Sequence, residues 1–193
     1  MEKLIGNKTK IAVFISGRGS NLNSLIKNSR SKNSFFKIQL VISNNKNAKG
    51  LNYAKKYKIK FFVIKYYNLK LAEKKTLNLL KKFSVDVICL AGFMKILSKN
   101  FIKKFNKPIL NIHPSLLPKY KGLNTHYRVL KNKDKYSGST VHLVTQKLDS
   151  GKIILQKKIK LSKLENIKSL EQKILKVEHK IYSAAVNKFL SNL

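Results

Sequence analysis

Short apolar runs alternate with amphipathic segments along the first 112 residues of the chain. Residues 10–16 (KIAVFIS) are almost continuously apolar and end at a glycine, which is typical of a strand covered on both faces. Residues 21–28 then place Leu22, Leu25 and Ile26 on one helical face. The same reasoning predicts strands at 10–16, 37–43, 60–64, 85–90 and 109–112, with helices at 21–28, 48–57, 70–83 and 98–105. This alternation predicts a parallel sheet with helices on both faces.

The pattern changes after residue 112. Residues 113–125 contain Pro114, Pro118 and Gly122 and are predicted to be mostly loop, followed by a short helix at 126–130. Strands at 139–144 and 152–160 are expected to pair antiparallel, and a final helix is expected at 166–190. The predicted fold is therefore α/β, a single domain at 10–193 after a basic extension at 1–9. Its twisted sheet is mostly parallel, with helices on both faces and an antiparallel C-terminal strand pair.

The chain is unusually basic, with a formal net charge of +34 over 193 residues. Such a charge commonly indicates nucleic-acid binding. However, arginine, which phosphate and base recognition favour, occurs only at Arg18, Arg30 and Arg128, and the lysines are spread through every segment. We interpret the charge as lysine-rich composition without specific nucleic-acid binding. It should still attract anionic substrates and cause salt-sensitive adhesion to RNA.

Cysteine and hydropathy patterns indicate the compartment. The single cysteine, Cys89, lies within an apolar run and is predicted to be buried, so no disulfide framework exists. The longest apolar run, 87–94, is too short to cross a bilayer, and no apolar segment follows the basic N terminus as in a signal peptide. We therefore expect a soluble cytoplasmic protein that does not bind membranes.

The segment from Asn111 to Pro118 (NIHPSLLP) carries the strongest chemical pattern. If residues 109–112 form a strand, the side chains of Asn111 and His113 project from the same face. An amide donor beside an imidazole is suited to stabilising a developing oxyanion, and Pro114 and Pro118 stiffen the loop that presents the pair. This pattern indicates acyl transfer.

Two further segments indicate a binding site for an anion and a carboxylate partner for His113. Residues 16–21 (SGRGSN) join the first strand to the first helix, and their glycines allow backbone amides to approach an anion. Because Leu22 breaks the dinucleotide fingerprint and no Gly-Lys-Ser/Thr follows, a single phosphate fits this loop better than a nucleotide. Asp149, in residues 148–151 (LDSG), is a carboxylate that could orient His113 or keep it protonated.

Five segments together resemble the glycinamide ribonucleotide formyltransferases of purine biosynthesis. They are residues 16–22 (SGRGSNL), 91–94 (AGFM), 111–118 (NIHPSLLP), 140–142 (TVH) and 148–151 (LDSG), in that order and at similar spacing. The resemblance covers residues 10–190. It implies transfer of the formyl group of 10-formyltetrahydrofolate, as co-substrate, to the amine of 5-phosphoribosylglycinamide. It implies no metal, small-molecule partners only, and a monomer or weak homodimer.

The resemblance also implies roles for individual residues. Asn111, His113 and Asp149 would be catalytic, with Asn111 and a protonated His113 stabilising an oxyanionic tetrahedral intermediate and Asp149 raising the pKa of His113. The substrate phosphate and ribose would be bound by Gly19, Ser20, Asn21, Leu22 and Glu178. The folate would be bound by Met94, Lys95, Ile96, Leu97, Asn111, Thr145 and Asp149, with Lys70 as the candidate for its glutamate tail. His142 matches a position near the site, although we interpret it, like His126 and His179, as structural.

Three alternative functions are also compatible with this pattern of residues. Formyltetrahydrofolate hydrolase and the catalytic domain of methionyl-tRNA formyltransferase have the same Asn-x-His and Asp residues. The hydrolases carry an additional N-terminal domain and the transfer-RNA enzymes an additional C-terminal domain, neither of which the length here accommodates. A basic RNA-binding module that has lost activity is the third alternative, and the intact Asn111, His113 and Asp149 argue against it.

Overall fold

The computed structural model describes residues 8–192. Its strands are β1 (Thr9–Ile15), β2 (Phe36–Ser43), β3 (Phe61–Val63), β4 (Val87–Leu90), β5 (Ile109–His113), β6 (Tyr136–Leu143) and β7 (Ile153–Lys160). Its helices are α1 (Ser20–Ser29), α2 (Leu51–Lys56), α3 (Leu69–Lys82), α4 (Lys99–Phe105), α5 (Thr125–Lys131) and α6 (Ile167–Leu190). Most of the extension expected at 1–9 lies outside the described residues.

The seven strands form one sheet in the order β3-β2-β1-β4-β5-β6-β7. Strands β1 to β5 pair in parallel, and Phe14 in β1 lies beside Ile42 of β2 and Leu90 of β4. Strand β6 pairs antiparallel with both β5 and β7. The predicted α/β class, with its mostly parallel sheet and antiparallel C-terminal strands, is confirmed.

Helices cover both faces of this sheet because the central strands are apolar on both sides. From β1, Ile11, Val13 and Ile15 pack into a cluster with α1, α2 and α6. Ala12 and Phe14 face the opposite cluster, which contains residues of α3 and α4. All five of these β1 side chains are fully buried. The near-continuous apolar run in the sequence therefore reflects a strand between two cores.

Several predicted boundaries were wrong by one to three residues. The first helical turn expected at residue 48 is a turn instead, and α2 begins at Leu51. Strand β6 begins at Tyr136, three residues before the prediction, because its ladder with β7 continues to the Tyr136 and Lys160 pair. His113, expected in the loop, is the last residue of β5 and pairs with Thr140. Pairing between strands decided the two strand ends, and local composition does not report it.

Two other sequence-based expectations concern burial and membrane crossing. Cys89 is fully buried as expected, and burial raises the pKa of its thiol to about 12. None of the helices in residues 8–192 combines the length and apolar character that a bilayer crossing needs.

Candidate active site

The carboxyl ends of three adjacent strands, β1, β4 and β5, converge on one region of the sheet edge. Ser16, directly after β1, connects the first two: its amide donates to the Gly92 carbonyl at 3.1 Å, and its hydroxyl accepts from the Met94 amide at 2.7 Å. His113 ends β5 beside them. Ligands of open α/β sheets bind at such convergent ends.

The loop between β1 and α1 depends on glycine at two positions. Gly19 has φ +73, and a Cβ built there would lie 2.3 Å from the Cα of Gly50. The Gly50 amide donates to the Gly17 carbonyl at 3.0 Å, which holds the two backbone segments together. The sequence pattern identified Gly19 but missed Gly50, because residue 50 lies in a different turn with no motif of its own.

This loop leaves the N terminus of α1 open to a ligand. Within the described chain, no side chain caps α1 at Gly19, so the first-turn amides, beginning at Ser20 and Asn21, have no side-chain acceptor there. Free amides and the positive end of the helix dipole together favour an anion. The side chain of Leu22 is fully buried in the core, so Leu22 can contribute only its backbone.

A cavity of about 310 Å³ opens in front of this helix terminus. It is lined by Gly17, Arg18, Gly19, Ser20, Asn21, Ala91, Gly92, Met94, Ile112, Pro114, His126, Glu171, Ile174, Leu175 and Glu178. The cavity therefore connects the α1 N terminus, the loop after β4, both neighbours of His113, and one face of α6. Its size suits a small phosphorylated molecule.

Glu178 and Asn21 form a buried pair in the wall of this cavity. The Asn21 Nδ2 group donates to Glu178 Oε2 at 2.8 Å, whereas Asn21 Oδ1 is buried without a hydrogen-bond partner among the described residues. Burial raises the pKa of Glu178 to about 7, although the bond from Asn21 acts to lower it and the charge of Glu171 adds to the rise. Glu178 can therefore change its charge near neutral pH.

Four polar side chains meet beside the cavity at the end of β5. Asp149 lies between two imidazoles, with His113 Nδ1 3.5 Å from its Oδ2 and His142 Nε2 3.6 Å from its Oδ1. The Asn111 Nδ2 group lies 3.3 Å from His142 Nε2. Because His142 Nδ1 faces the carbonyl of Leu143 at 2.9 Å and must donate there, its Nε2 can accept from Asn111.

The role of His142 was therefore underestimated from the sequence. We interpreted it as structural because a histidine in an alternating strand usually is. In the structure it pairs across the sheet with Asn111, is almost fully buried, and orients the Asn111 amide. Only the register between β5 and β6 could have identified it.

Burial is the largest influence on the pKa of His113. Burial lowers its pKa below the ordinary 6.5, and the charges of His142 and Arg128 add to that effect. The Tyr120 carbonyl and the Asp149 carboxylate act to raise it but do not outweigh burial. The effect predicted for Asp149, which is to raise the pKa of His113, has the expected direction, and the larger effect of burial opposes it.

Asp149 itself stays ionised. Its burial acts to raise the pKa, but the interactions with the His142 ring, the Gly122 amide and the His113 ring lower it below the ordinary 3.8. His113 Nε2 lies 2.9 Å from the Tyr120 carbonyl, which can only accept, so the Nε2 proton is fixed there. The remaining nitrogen, Nδ1, faces Asp149 and can take up a proton.

The loop from Tyr120 to Gly122 holds both catalytic candidates through its backbone. The Tyr120 carbonyl accepts from His113, and the Gly122 amide donates to Asp149 Oδ2 at 2.9 Å. Arg128 supports this loop, since its guanidinium lies 5.1 Å from the Tyr120 ring and donates to the Lys121 carbonyl at 2.6 Å. Sequence reasoning missed these contacts because main-chain groups make them.

The residues expected to bind folate have different environments. Met94 and Ile96 are exposed (62% and 74%) on the loop after β4, and Lys95 and Thr145 are exposed as well. Leu97 is instead part of the core beneath that loop. Lys70 lines a separate cavity of about 640 Å³ between α3 and α4, so the structure does not bring it to the cavity at α1.

The histidines do not form a metal centre in the part of the chain that the structure describes. No group of three or more His, Cys, Asp or Glu side chains between residues 8 and 192 is arranged to hold a metal ion. His126 lines the cavity at α1 with its Nδ1 buried.

Comparisons with known proteins agree with this geometry. The family model described as formyl transferase matches residues 9–186. The chain is 41% identical over 183 residues to phosphoribosylglycinamide formyltransferase of Haemophilus influenzae, covering 93% of this chain and 86% of that protein. It is also 42% identical over 182 residues to the human trifunctional purine biosynthetic protein adenosine-3, covering 93% of this chain. The chain spans only 18% of the length of that trifunctional protein.

A solved structure of a phosphoribosylglycinamide formyltransferase has the same fold. The crystal structure of phosphoribosylglycinamide formyltransferase from Anaplasma phagocytophilum matches with a TM-score of 0.90 at 40% sequence identity. The match covers 95% of this chain and 87% of that one. The similarity therefore extends through the sheet, the helices on both faces and the loops at the sheet edge.

Proposed function

The chain belongs to the formyl transferase family, and from that premise we propose that it formylates 5-phosphoribosylglycinamide. The formyl donor is 10-formyltetrahydrofolate, and the products are formylglycinamide ribonucleotide and tetrahydrofolate, a step of de novo purine biosynthesis. One observation carries the proposal: Asn111, His113 and Asp149 meet beside a cavity that begins at the uncapped N terminus of α1. An oxyanion site and a phosphate site therefore lie within the length of one small substrate.

The reaction proceeds by direct attack. The substrate amine forms a bond to the formyl carbon, and the carbonyl electron pair moves to the formyl oxygen. The amide of Asn111 stabilises this oxyanion with the N–H that His142 does not engage. When the intermediate collapses, the bond from carbon to the folate nitrogen breaks, and the proton lost by the amine ends on that nitrogen.

His113 and Asp149 move this proton. Neutral His113 presents Nδ1 toward the ionised Asp149, so a proton arriving at Nδ1 is stabilised by the carboxylate 3.5 Å away. The imidazolium that forms adds a positive charge near the oxyanion and then returns the proton to the departing nitrogen. No covalent enzyme intermediate is needed.

The remaining parts of the site bind the two substrates. The amides of Gly19, Ser20 and Asn21 hold the phosphate at the α1 N terminus, and Glu178 contacts the ribose hydroxyls. The exposed apolar side chains of Met94 and Ile96 contact the flat faces of the folate rings. We propose a cytoplasmic protein of one domain that acts as a monomer or weak homodimer on small molecules.

A single assay tests the proposed function. The purified protein is incubated with 5-phosphoribosylglycinamide and 10-formyltetrahydrofolate, and formylated product and tetrahydrofolate are measured. Product formation that requires both substrates supports the proposal. Loss of the formyl group in the absence of the amine would instead indicate formyltetrahydrofolate hydrolase, and inactivity with both substrates would contradict formyl transfer.

Two substitutions test the mechanism. We expect His113→Ala and Asp149→Asn each to reduce kcat by about 10²-fold or more, because each removes a group on which the proton transfer depends. Circular dichroism and thermal unfolding check that both variants fold. Near-normal kcat in either folded variant would rule out the assigned roles.

A further inference from the structure

Arg18 is the only permanent cation among the described residues that line the cavity at α1. The cavity wall also contains two carboxylates, Glu171 and Glu178. A phosphate monoester carries between one and two negative charges near neutral pH, so the carboxylates by themselves would oppose its binding. The wall therefore needs a compensating cation close to the bound phosphate.

The choice of arginine at this position is informative. The chain has 42 basic residues, of which only Arg18, Arg30 and Arg128 are arginine. The guanidinium of Arg30 lies 5.4 Å from the centre of the Tyr57 ring, and that of Arg128 lies 5.1 Å from the centre of the Tyr120 ring. These two guanidinium groups therefore already have aromatic partners within the chain. At the cavity, the planar set of donors of the Arg18 guanidinium fits a phosphate better than an ammonium group would.

The contact that Arg18 makes in this structure leaves most of its hydrogen-bonding capacity free. Its Nη2 group donates to Oε1 of Glu171, which lies on α6 across the cavity. The two side chains are exposed by 70% and 41%, and exposed ion pairs contribute little to folding stability. A guanidinium has five N–H donors, so four remain for a ligand.

We propose that Arg18 binds the phosphate of the acceptor substrate and that Glu171 is a positioning residue that holds the guanidinium ready for it. The inference rests on the proposed function, in which that phosphate lies at the N terminus of α1. The helix amides contact the phosphate from one side, and Arg18 contacts it from the loop immediately before the helix. Because Glu171 already orders the arginine side chain, less conformational entropy is lost when the substrate binds.

Acceptor kinetics test the proposal. The phosphorylated acceptor is compared with its dephosphorylated riboside, at saturating 10-formyltetrahydrofolate. We expect Arg18→Gln to raise KM for the phosphorylated acceptor by about 10-fold to 100-fold, with a much smaller effect on kcat and on the riboside. Arg18→Lys should be intermediate, because lysine retains the charge but not the planar fork. Arg30→Gln is the matched control and should leave KM unchanged.

A double-mutant cycle between Arg18 and Glu171 tests the role of Glu171. We expect Glu171→Gln to raise the same KM about threefold to tenfold when Arg18 is present and to have little further effect in the Arg18→Gln background. Additive effects in the double variant would overturn the positioning role. Equal losses for the phosphorylated acceptor and the riboside would overturn the phosphate contact.

A binding measurement separates this inference from the proposed function. Titration calorimetry with ribose 5-phosphate and with ribose needs no catalysis. If the wild-type protein binds ribose 5-phosphate at least about tenfold more tightly than Arg18→Gln does, Arg18 contacts phosphate even if no formyl transfer is detected. If the two proteins bind it equally, the inference fails whatever the activity.

Discussion

At the scale of single residues, burial determines which ionisable groups of this site change charge near neutral pH. Burial lowers the pKa of His113 and raises that of Glu178, while hydrogen bonds and nearby positive charge keep Asp149 ionised. The site therefore combines an imidazole and a carboxylate whose pKa values are both lowered with a carboxyl group whose pKa is raised to about 7. Perturbed values of this kind are typical of functional sites.

The raised pKa of Glu178 predicts a specific dependence of stability on pH. Between its ordinary pKa of 4.5 and its folded pKa of about 7, the folded protein retains a proton that the unfolded chain has released. The contribution of Glu178 to the free energy of unfolding therefore falls as pH rises through this window, by about 3 kcal/mol in total, and is constant above it. Glu178→Gln removes this contribution.

Urea unfolding of both proteins at several pH values between 4 and 8 measures the effect. Other titrating groups, including the histidines, affect both proteins and cancel in the difference. We expect the stability of Glu178→Gln relative to wild type to increase with pH up to about 7. Parallel stability curves over this range would contradict the raised pKa.

At the scale of elements, contact between two loops shapes the phosphate-binding region. The turn before α2 packs against the loop before α1, with Gly50 and Gly19 in backbone contact. Gly50 itself has ordinary helical angles, φ −60 and ψ −24, so its backbone conformation does not require glycine. What requires glycine there is space: a Cβ would lie 2.7 Å from Cδ1 of Ile15 and 2.9 Å from the Cα of Gly19.

Gly50→Ala tests this contact. We expect it to lower the free energy of unfolding by about 1–3 kcal/mol through overpacking, and to raise KM for the phosphorylated acceptor because the α1 loop must shift. Gly17→Ala is the matched control for stability, since a Cβ there meets no atom within 4 Å. Its free energy of unfolding should change by less than about 0.5 kcal/mol. Equal stability of the two variants would contradict the steric argument.

At the scale of the whole molecule, the few acidic residues are all engaged and much of the positive charge is not neutralised. Each of the seven carboxylates in residues 8–192 accepts a hydrogen bond or ion pair; these are Glu73, Asp86, Asp134, Asp149, Glu165, Glu171 and Glu178. The chain has 42 basic and eight acidic residues, so a formal charge of +34 remains after all acidic side chains are counted. Such a surface raises the local concentration of anionic substrates and attracts polyanions.

This charge predicts nucleic-acid binding that is unspecific and sensitive to salt. We expect the protein to retard RNA and DNA of unrelated sequence equally in low salt, and to lose about 10³-fold or more in affinity between 50 and 200 mM salt. Gel-shift or fluorescence titrations across this range measure it. Tight, sequence-selective binding that persists in high salt would instead support a dedicated RNA-binding role.

Most of the fold could be predicted because it is encoded locally. Apolar runs that are covered on both faces produced the strands β1 to β5 in the right order, and amphipathic spacing produced the helices between them. The errors occurred where a partner strand set the boundary, as at Tyr136 and His113. Periodicity reports which face of an element is apolar, but it does not report how far a neighbouring strand extends.

The sequence by itself determined the α/β class, the loop at Gly19 to Asn21 and the three polar residues Asn111, His113 and Asp149. Only the tertiary structure decided how they work together, through the pairing of Asn111 with His142, the Gly122 amide on Asp149 and the contact of Gly50 with Gly19. It also lowered the pKa of His113, because burial is a property of the packed chain. The physical reason is the same throughout: backbone contacts and desolvation between distant segments leave no local pattern in the sequence.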